Sequence, residues 1–172
     1  MITFLVKERN EADNELNDEE KGLYEREFEK MGFTKVEFYR IIRAGTKRVV
    51  RAGTELCKEG ARQEKMFFLL DGKVDVMKED KKAKGRDTCI AVIQENAFIG
   101  EMSFLTFFQE EGEETKAEAT CVTSSDSVVM EWDFERLASY LGHEANRGVA
   151  NALQTKLCND LRRKLHRQNE SA

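Results

Sequence analysis

The chain has 172 residues, of which 40% are hydrophobic and 35% are charged, and its formal net charge is −5. This length suits one domain with a full hydrophobic core, and the negative charge argues against a nucleic-acid-binding domain. No apolar run approaches the roughly 18–20 residues that a transmembrane helix needs, and the N-terminus lacks the basic region of a signal peptide. We therefore expect a cytoplasmic domain without a transmembrane segment.

The N-terminal quarter of the sequence changes from an acidic stretch to a helical pattern. Residues 1–17 are polar and acidic without a hydrophobic period, which predicts a tail or a linker. Residues 18–45 carry apolar side chains at helical spacing and are predicted to form the N-terminal helices. Within them, Thr34 and Glu37 have the spacing of a capping box, which predicts that a helix begins there.

Residues 46–132 consist of short runs of β-branched and aromatic residues, separated by turn residues at roughly ten-residue spacing. This pattern predicts an antiparallel barrel or sandwich, interrupted once within residues 98–116 by a short helix and an acidic loop. Asp71 and Gly72 stand between two apolar runs and predict a tight hairpin turn. The predicted strands are residues 46–50, 54–57, 66–70, 73–77, 88–93, 119–123 and 127–132.

Helical patterns return in residues 133–167, which are predicted to form two C-terminal helices. Asp133 can cap the first of them, which is expected to end at Gly142. The second helix carries leucines along one side as far as Leu165. Such a stripe is typical of a face that packs on the domain itself or pairs with its copy in a homodimer.

Cysteines and histidines give no sign of a metal site or a catalytic centre. The four cysteines lie more than thirty residues apart, and the two histidines fall in different segments. Cys57, Cys89 and Cys121 lie in apolar β-like runs and are predicted to be free thiols in the core. Since the sequence shows neither a nucleophile–base pair nor a metal cluster, we expect no enzyme activity and no cofactor.

Three segments carry a resemblance to a known family, which extends over about residues 32–165. Residues 67–74 (FFLLDGKV) resemble a hairpin of the cyclic nucleotide-binding domain, in which an apolar strand is followed by Gly-x-Val. Residues 98–105 (FIGEMSFL) resemble the first half of its phosphate-binding cassette, and residues 117–122 (AEATCV) resemble the cassette's end. The family includes kinase regulatory subunits, gated channels and bacterial catabolite-activator regulators. The resemblance implies an α+β fold in which an antiparallel β-roll, a jelly-roll-like double-stranded barrel, is flanked by N-terminal and C-terminal helices.

The resemblance places a ligand site in the cassette-like segment, residues 98–120, with cyclic AMP or cyclic GMP as the candidate ligand. Gly100 would let the backbone approach the ligand, and the amides that follow suit an anion. The family assigns ribose binding to the residue that matches Glu101, although this carboxylate could instead bind backbone amides of the cassette. The candidate ligand-binding residues are Ile99, Gly100, Glu101, Met102, Ser103, Lys116, Ala117, Ala119 and Thr120.

The cassette departs from the family at the phosphate. Ala117 stands where the family has an arginine that pairs with the cyclic phosphate. Lys116 is the nearby cation, but adjacent strand residues face opposite sides, so Lys116 should point away if Ala117 points inward. Loss of such a contact costs about 1.5–3 kcal/mol, roughly a tenfold to hundredfold loss of affinity.

The Popeye domain, a divergent relative, also lacks this arginine. Residues 125–132 (SDSVVMEW) and the predicted helix at residues 38–44 resemble that domain, whereas the Popeye cassette sequences are absent from this chain.

Three functions remain open. The chain could be a cyclic-nucleotide sensor whose last helix closes over the ligand, with Leu153, Leu157 and Leu161 as the lid, and signals to a partner protein or an adjacent domain. It could instead be a degenerate domain that binds no nucleotide and serves in assembly. Third, the chain could bind a different small ligand or have an enzyme activity.

Overall fold

A computed structural model of the chain describes residues 15–83 and 85–170, which form two compact units. The first unit is a β-roll of residues 46–138, and the second is a helical unit of residues 15–45 and 139–170. The strands are β1 Thr46–Val50, β2 Glu55–Cys57, β3 Lys65–Asp71, β4 Val74–Glu79, β5 Asp87–Ile93, β6 Ala97–Ile99, β7 Thr120–Thr123 and β8 Ser127–Asp133. The α-helices are α1 Asp18–Leu23, α2 Lys35–Arg43, α3 Glu101–Gln109, α4 Phe134–Gly142 and α5 Arg147–Glu170.

The strands form two antiparallel sheets of four. The strand order is β1-β8-β3-β6 in one sheet and β2-β7-β4-β5 in the other. Successive side chains of a strand point to opposite faces, and in β8 both faces carry buried residues: Val129 on one, Met130 and Trp132 on the other. This arrangement confirms the predicted α+β class with an antiparallel β-roll between N-terminal and C-terminal helices.

An apolar cluster lies inside the roll and draws side chains from both sheets. Leu69, Val74 and Val129 are fully buried within it. Burial of this kind stabilises by roughly 25 cal/mol per Å² of apolar surface, so the cluster is a main source of the roll's stability. Its buried members are Val50, Phe67, Leu69, Val74, Ile99, Cys121 and Val129, against which Leu56, Cys57, Val76 and Ile93 pack.

The turn at Asp71 and Gly72 carries the chain from one sheet to the other. Because β3 pairs with β6 and β8 while β4 pairs with β5 and β7, the predicted hairpin is wrong. Gly72 has a φ of +105°, and a Cβ at this position would lie 2.2 Å from Oγ of Ser127. The β7–β8 connection makes the same crossing alongside it, and Oγ of Ser125 accepts a hydrogen bond from the Lys73 amide at 3.0 Å.

The β1–β2 connection joins this corner of the roll. The Gly53 amide donates to the Thr123 carbonyl at 2.6 Å, and the Thr54 amide donates to Oγ1 of Thr123 at 2.9 Å. The Ala52 amide donates to Oδ1 of Asp126, also at 2.9 Å. Three sheet-to-sheet connections are therefore held together at one end of the roll.

Strand β5 lies at the outer end of its sheet, where it pairs with β4. Its side chains are largely exposed, and Ile90 and Val92 remain 50% and 49% exposed. Cys89 is exposed as well, so its assignment to the core is wrong, because an edge strand buries little of either face. Cys121 is buried and Cys57 is half-buried, and all four cysteines are free thiols.

The N-terminal part of the helical unit begins slightly earlier than predicted. Residues 1–14 of the predicted tail lie outside the described residues, whereas Leu16 is buried and Asn17 caps α1. The capping box predicted at Thr34 and Glu37 is present, with both reciprocal hydrogen bonds formed, at 2.9 and 3.2 Å. Between α1 and α2 the chain forms a π-helical turn at Tyr24–Phe28 and a 3₁₀ turn at Glu29–Met31.

The long helix α5 packs on these N-terminal elements through a buried charge. Lys156 is fully buried, with its Nζ 3.6 Å from Oε2 of Glu27, 3.4 Å from Oδ1 of Asp160, and over the ring of Phe28. A further contact joins Asn159 to the sulfur of Met31 at 3.3 Å. None of the helices within the described ranges is both long and apolar enough to cross a bilayer.

Candidate functional site

The candidate site begins where β6 ends at a left-handed glycine. Ile99, paired with Phe67 of β3, is buried, and Gly100 then takes a φ of +82° before α3 starts at Glu101. A Cβ at position 100 would lie 3.0 Å from both Nε2 of Gln63 and the carbonyl oxygen of Lys65. Glycine is therefore required here both for its backbone conformation and for the space it leaves.

Glu101 is the buried carboxylate of this turn. It is 4% exposed, whereas Met102 is 50% exposed and Ser103 is half-buried. Carboxylates are rarely buried to this extent, because burial removes them from water unless other polar groups compensate. The first turn of α3 thus buries the side chain of Glu101 and exposes that of Met102.

The end of the cassette lies beside the segment that follows β2. The Ala117 amide donates to the Ala61 carbonyl at 2.9 Å, and the Gly60 amide donates to the Ala117 carbonyl at 2.8 Å. Arg62 and Lys116 form a bridge between the two segments. These bonds extend the pairing of β2 with β7 into the cassette, so the stretch that would meet a phosphate is held in extended conformation.

The side chains of Lys116 and Ala117 face opposite sides, as expected for adjacent residues of an extended segment. Ala117 is 8% exposed, while the side chain of Lys116 is exposed. Arg62, across the bridge, is also at the surface and pairs with Glu64 at 3.1 Å. Arg62 and Lys116 are therefore both solvated, and the buried side chain beside them is the methyl group of Ala117.

Ala119 and Thr120 lead from the cassette into β7. Both are half-buried, and their polar atoms bond to the β2 side: the Cys57 thiol donates to the Ala119 carbonyl at 3.6 Å, and the Glu59 amide donates to Oγ1 of Thr120 at 2.9 Å. The structure thus brings residues 99–103 and 116–120 into the same roll and leaves Met102 and Lys116 at its surface.

Two polar residues that the sequence analysis did not select also belong to this region. Gln63 is buried, and its Nε2 donates to the Lys65 carbonyl beside the Gly100 turn. The backbone amide of Gln63 donates to the Thr115 carbonyl at 2.8 Å, and Oγ1 of Thr115 is buried without a hydrogen-bond partner among the described residues. Neither belongs to a recognisable motif, so only the three-dimensional fold could identify them.

A pair of thiols lies next to the cassette. Cys57 of β2 and Cys121 of β7 are register partners. A hydrogen bond from the Cys121 thiol lowers the pKa of Cys57; burial and the charges of Glu55 and Glu101 raise it, and the net pKa lies below the usual value.

The three lid candidates lie along α5. Leu153 and Leu157 are 1% and 0% exposed, and Leu161 is half-buried. Lys156, one position before Leu157, is the residue that reaches Glu27 in the N-terminal helices. Within the helical unit, α5 is therefore held by a buried charge on the turns that carry these leucines.

Comparison with known families agrees with this architecture. The profile of the cyclic nucleotide-binding domain matches residues 47–144, more than half of the chain. The chain belongs to the cyclic nucleotide-binding domain family. Comparison with curated protein sequences gave no significant match.

Solved structures share the fold at low sequence identity. A cyclic nucleotide-binding domain from Methylobacillus flagellatus is 19% identical, with a TM-score of 0.71 over 88% of this chain and 83% of that one. The N-terminal domain of a transcriptional regulator from Streptomyces coelicolor is 18% identical, with a TM-score of 0.62 over 87% of this chain and 94% of that one.

A third similar structure comes from a kinase. The regulatory subunit of a cAMP-independent protein kinase A from Trypanosoma cruzi, bound to guanosine, is 17% identical, with a TM-score of 0.58. The match covers 79% of this chain and 45% of that one. The fold is therefore one that regulators of transcription and of a kinase both contain.

Proposed function

We propose that this chain is a cytoplasmic regulatory module that senses a cyclic nucleotide in its β-roll and transmits binding through its C-terminal helices. The observation that carries the proposal is the buried Glu101 directly after the left-handed Gly100. A carboxylate at this turn offers two acceptor oxygens to ribose hydroxyl groups, and the amides that begin α3 suit an anion.

Binding is expected to be weaker than with an arginine in the cassette. Ala117 supplies no charge, and Lys116 is exposed to solvent. The missing charge-assisted contact accounts for about 1.5–3 kcal/mol. Recognition would then depend on the ribose and the base, as well as on backbone amides around the phosphate.

Thermal unfolding with added ligand tests the proposal. Cyclic AMP or cyclic GMP at about a hundred times its dissociation constant should stabilise the protein by about 2.7 kcal/mol through linkage. Adenosine and guanosine serve as phosphate-free comparisons. If neither cyclic nucleotide shifts the unfolding midpoint at millimolar concentration, the sensor proposal fails.

Two substitutions locate the site. Glu101→Gln should abolish most of the midpoint shift, because it removes the charge that polarises the ribose hydroxyl contacts. Lys116→Ala should leave the shift unchanged, since this side chain is exposed. The two variants together separate binding at the cassette from attraction to surface lysines.

A second function is favoured by a different observation. The interior of the roll is occupied by the apolar cluster around Leu69 and Val129, and a methyl group stands at the position of the phosphate-binding cation. These features fit a domain that binds no nucleotide and serves in assembly through its helices. A cleft of about 720 Å³ in the helical unit, lined by Phe33, Arg40 and Val149 among others, offers a surface for a partner protein.

Ala117→Arg distinguishes the two functions. In a sensor that already binds cyclic nucleotides, the new cation should raise affinity by about tenfold to a hundredfold. In an assembly module with a filled roll, the arginine should produce no binding, because the space for the base is taken by side chains. Isothermal titration of the variant and the wild type with both cyclic nucleotides reads out the difference.

A further inference from the structure

The directly opposed thiols of Cys57 and Cys121 are unlike the other cysteines of the chain. In β5, Cys89 pairs with Met77 of β4 rather than with a thiol. Cys158 lies exposed on α5, in the helical unit. Cys57 and Cys121, by contrast, oppose each other across β2 and β7, and both belong to the interior of the roll.

Register partners in antiparallel strands already have the separation that a disulfide needs. In a regular ladder their Cα atoms lie about 4.5–5.5 Å apart and their side chains leave the sheet on the same face. The register of β2 against β7 shifts between Glu55 and Cys57, and Cys57 is paired with Cys121 after this shift. Disulfides span Cα separations of about 4.4–6.8 Å. A hydrogen bond also joins the two side chains. An S–S bond would therefore link two residues that are already paired across the strands.

We propose that Cys57 and Cys121 are an oxidisable dithiol, which a hydroperoxide converts into a disulfide across β2 and β7. This proposal goes beyond the proposed function, because it requires no nucleotide. It assigns a redox modification site to a part of the roll that touches the cassette, since β7 begins at Thr120 directly after the cassette's last residues.

The two thiols have different roles in the reaction. Cys57 is half-buried and is the more accessible of the two, whereas Cys121 is 7% exposed. The hydrogen bond from Cys121 also lowers the pKa of Cys57, which raises the fraction of thiolate, the nucleophilic form. Cys57 is therefore the attacking thiol, and Cys121 is the resolving thiol.

The chemistry balances with one hydroperoxide per disulfide. The Cys57 thiolate attacks an oxygen of the hydroperoxide, the O–O bond breaks, and Cys57 becomes a sulfenic acid while hydroxide or alkoxide leaves and takes up a proton. The Cys121 sulfur then attacks the sulfenic sulfur, the S–S bond forms, and the S–O bond breaks to release water. Two electrons pass from the thiols to the peroxide.

The test uses a variant from which both exposed cysteines have been removed. Cys89→Ser/Cys158→Ser keeps only Cys57 and Cys121, and both changes lie at exposed positions, so the fold should be retained. The folded, reduced variant is treated with hydrogen peroxide, then unfolded in denaturant so that every remaining thiol can be alkylated, and its intact mass is measured. We expect a mass lower by two hydrogen atoms, no alkylation, and recovery of both thiols after reduction with dithiothreitol.

Two further variants serve as controls. Cys57→Ser/Cys121→Ser keeps the exposed pair and should gain no intramolecular disulfide under the same treatment. Adding Cys57→Ser to the test variant should leave one thiol that alkylates without loss of mass. Peptide mapping of the oxidised test variant should recover residues 57 and 121 in one linked peptide.

One result overturns the inference. If peroxide leaves both thiols of the test variant open to alkylation, or adds oxygen atoms to Cys57 without removing hydrogen, the opposed cysteines are not a functional dithiol. This result is distinguishable from failure of nucleotide sensing, because the mass measurement contains no nucleotide.

Discussion

Gly100 shows how a single residue positions the whole candidate site. Its φ of +82° turns the chain from β6 into α3, and its missing side chain makes room for Gln63 and the Lys65 carbonyl. The same turn then determines that Glu101 is buried and that Met102 is exposed. The Gly-Glu pair could be recognised in the sequence because it is a local motif, whereas the buried Gln63 that packs on it could not.

Replacing Gly100 should therefore cost more than replacing a glycine in open space. We expect Gly100→Ala to lower the free energy of unfolding by more than the roughly 1–2 kcal/mol that a left-handed conformation costs an alanine, because a Cβ would also press on Gln63 and Lys65 at 3.0 Å. Gly53→Ala is the matched control, since Gly53 has a φ of +85° with no atom within 4 Å of the added Cβ. Equal losses in urea denaturation would contradict this account.

Glu131 links three strands of one sheet through its carboxylate. It lies on β8, and its two oxygens pair with Lys65 of β3 at 2.6 Å and with Arg48 of β1 at 2.7 Å. Burial raises the pKa of Glu131, but the hydrogen bonds from Lys65 and Arg48 outweigh it and lower the pKa overall. Because the folded-state pKa is depressed, the stabilisation is present above the unfolded pKa of about 4.3 and is lost as the pH falls through the folded value.

The two ion pairs of Glu131 predict that the effect of replacing this residue depends on pH. Glu131→Gln should lower the free energy of unfolding by about 1 kcal/mol at neutral pH, since both cationic partners are about half exposed and solvent screens them. The difference from wild type should shrink as the pH falls below the unfolded pKa of about 4.3 and through the lower pKa of the folded state, where the wild-type carboxylate protonates too. Glu135→Gln, at an exposed position, should show neither effect. A difference that stays constant down to acidic pH would argue against the ion pairs.

At the level of one helix, Lys156 holds α5 on the N-terminal helices. We expect Lys156→Met to destabilise the protein by less than the roughly 3–5 kcal/mol that breaking a buried pair costs, because Asp160, 2% exposed in its side chain, would lose Lys156 but keep its ion pair with the half-exposed Arg163. Arg162→Met changes an exposed cation of the same helix and should stay within about 0.5 kcal/mol of wild type. Chemical denaturation followed by circular dichroism measures both. A small loss for Lys156→Met would show that the charge cluster contributes little to the attachment of α5.

Helices and strands could be predicted from the sequence where the pattern that marks them lies within a few neighbouring residues. The capping box at Thr34 marked the start of α2, and seven of the eight strands followed from their apolar runs. The eighth, β6, has only three residues and owes its strand character to pairing with β3. The turn at Gly72 was recognised, but not its role, because the sequence of a turn does not specify which sheet receives the next strand.

At the scale of the molecule, the reaction rates of the thiols should report which parts of the chain are inaccessible to a reagent in solution. Cys89 and Cys158 are exposed, while Cys57 and Cys121 belong to the interior of the roll. In the native protein under reducing conditions, the exposed thiols of Cys89 and Cys158 should react quickly with an aromatic disulfide reagent, the half-buried Cys57 more slowly, and the buried Cys121 slowest of all. In denaturant, all four should react at similar rates. A third fast thiol in the native state would mean that the β2–β7 edge opens readily.

The position of β5 at the end of its sheet has a consequence for the behaviour of the protein at high concentration. Its outer row of backbone groups and the exposed side chains of Ile90 and Val92 form a template on which a second chain could align. The segment that leads into this strand, residues 78–82 (KEDKK), carries charges of both signs next to that template. Such flanking charges act as gatekeepers against fibril growth, so neutralising the lysines there should lower the solubility of the protein before it changes the fold.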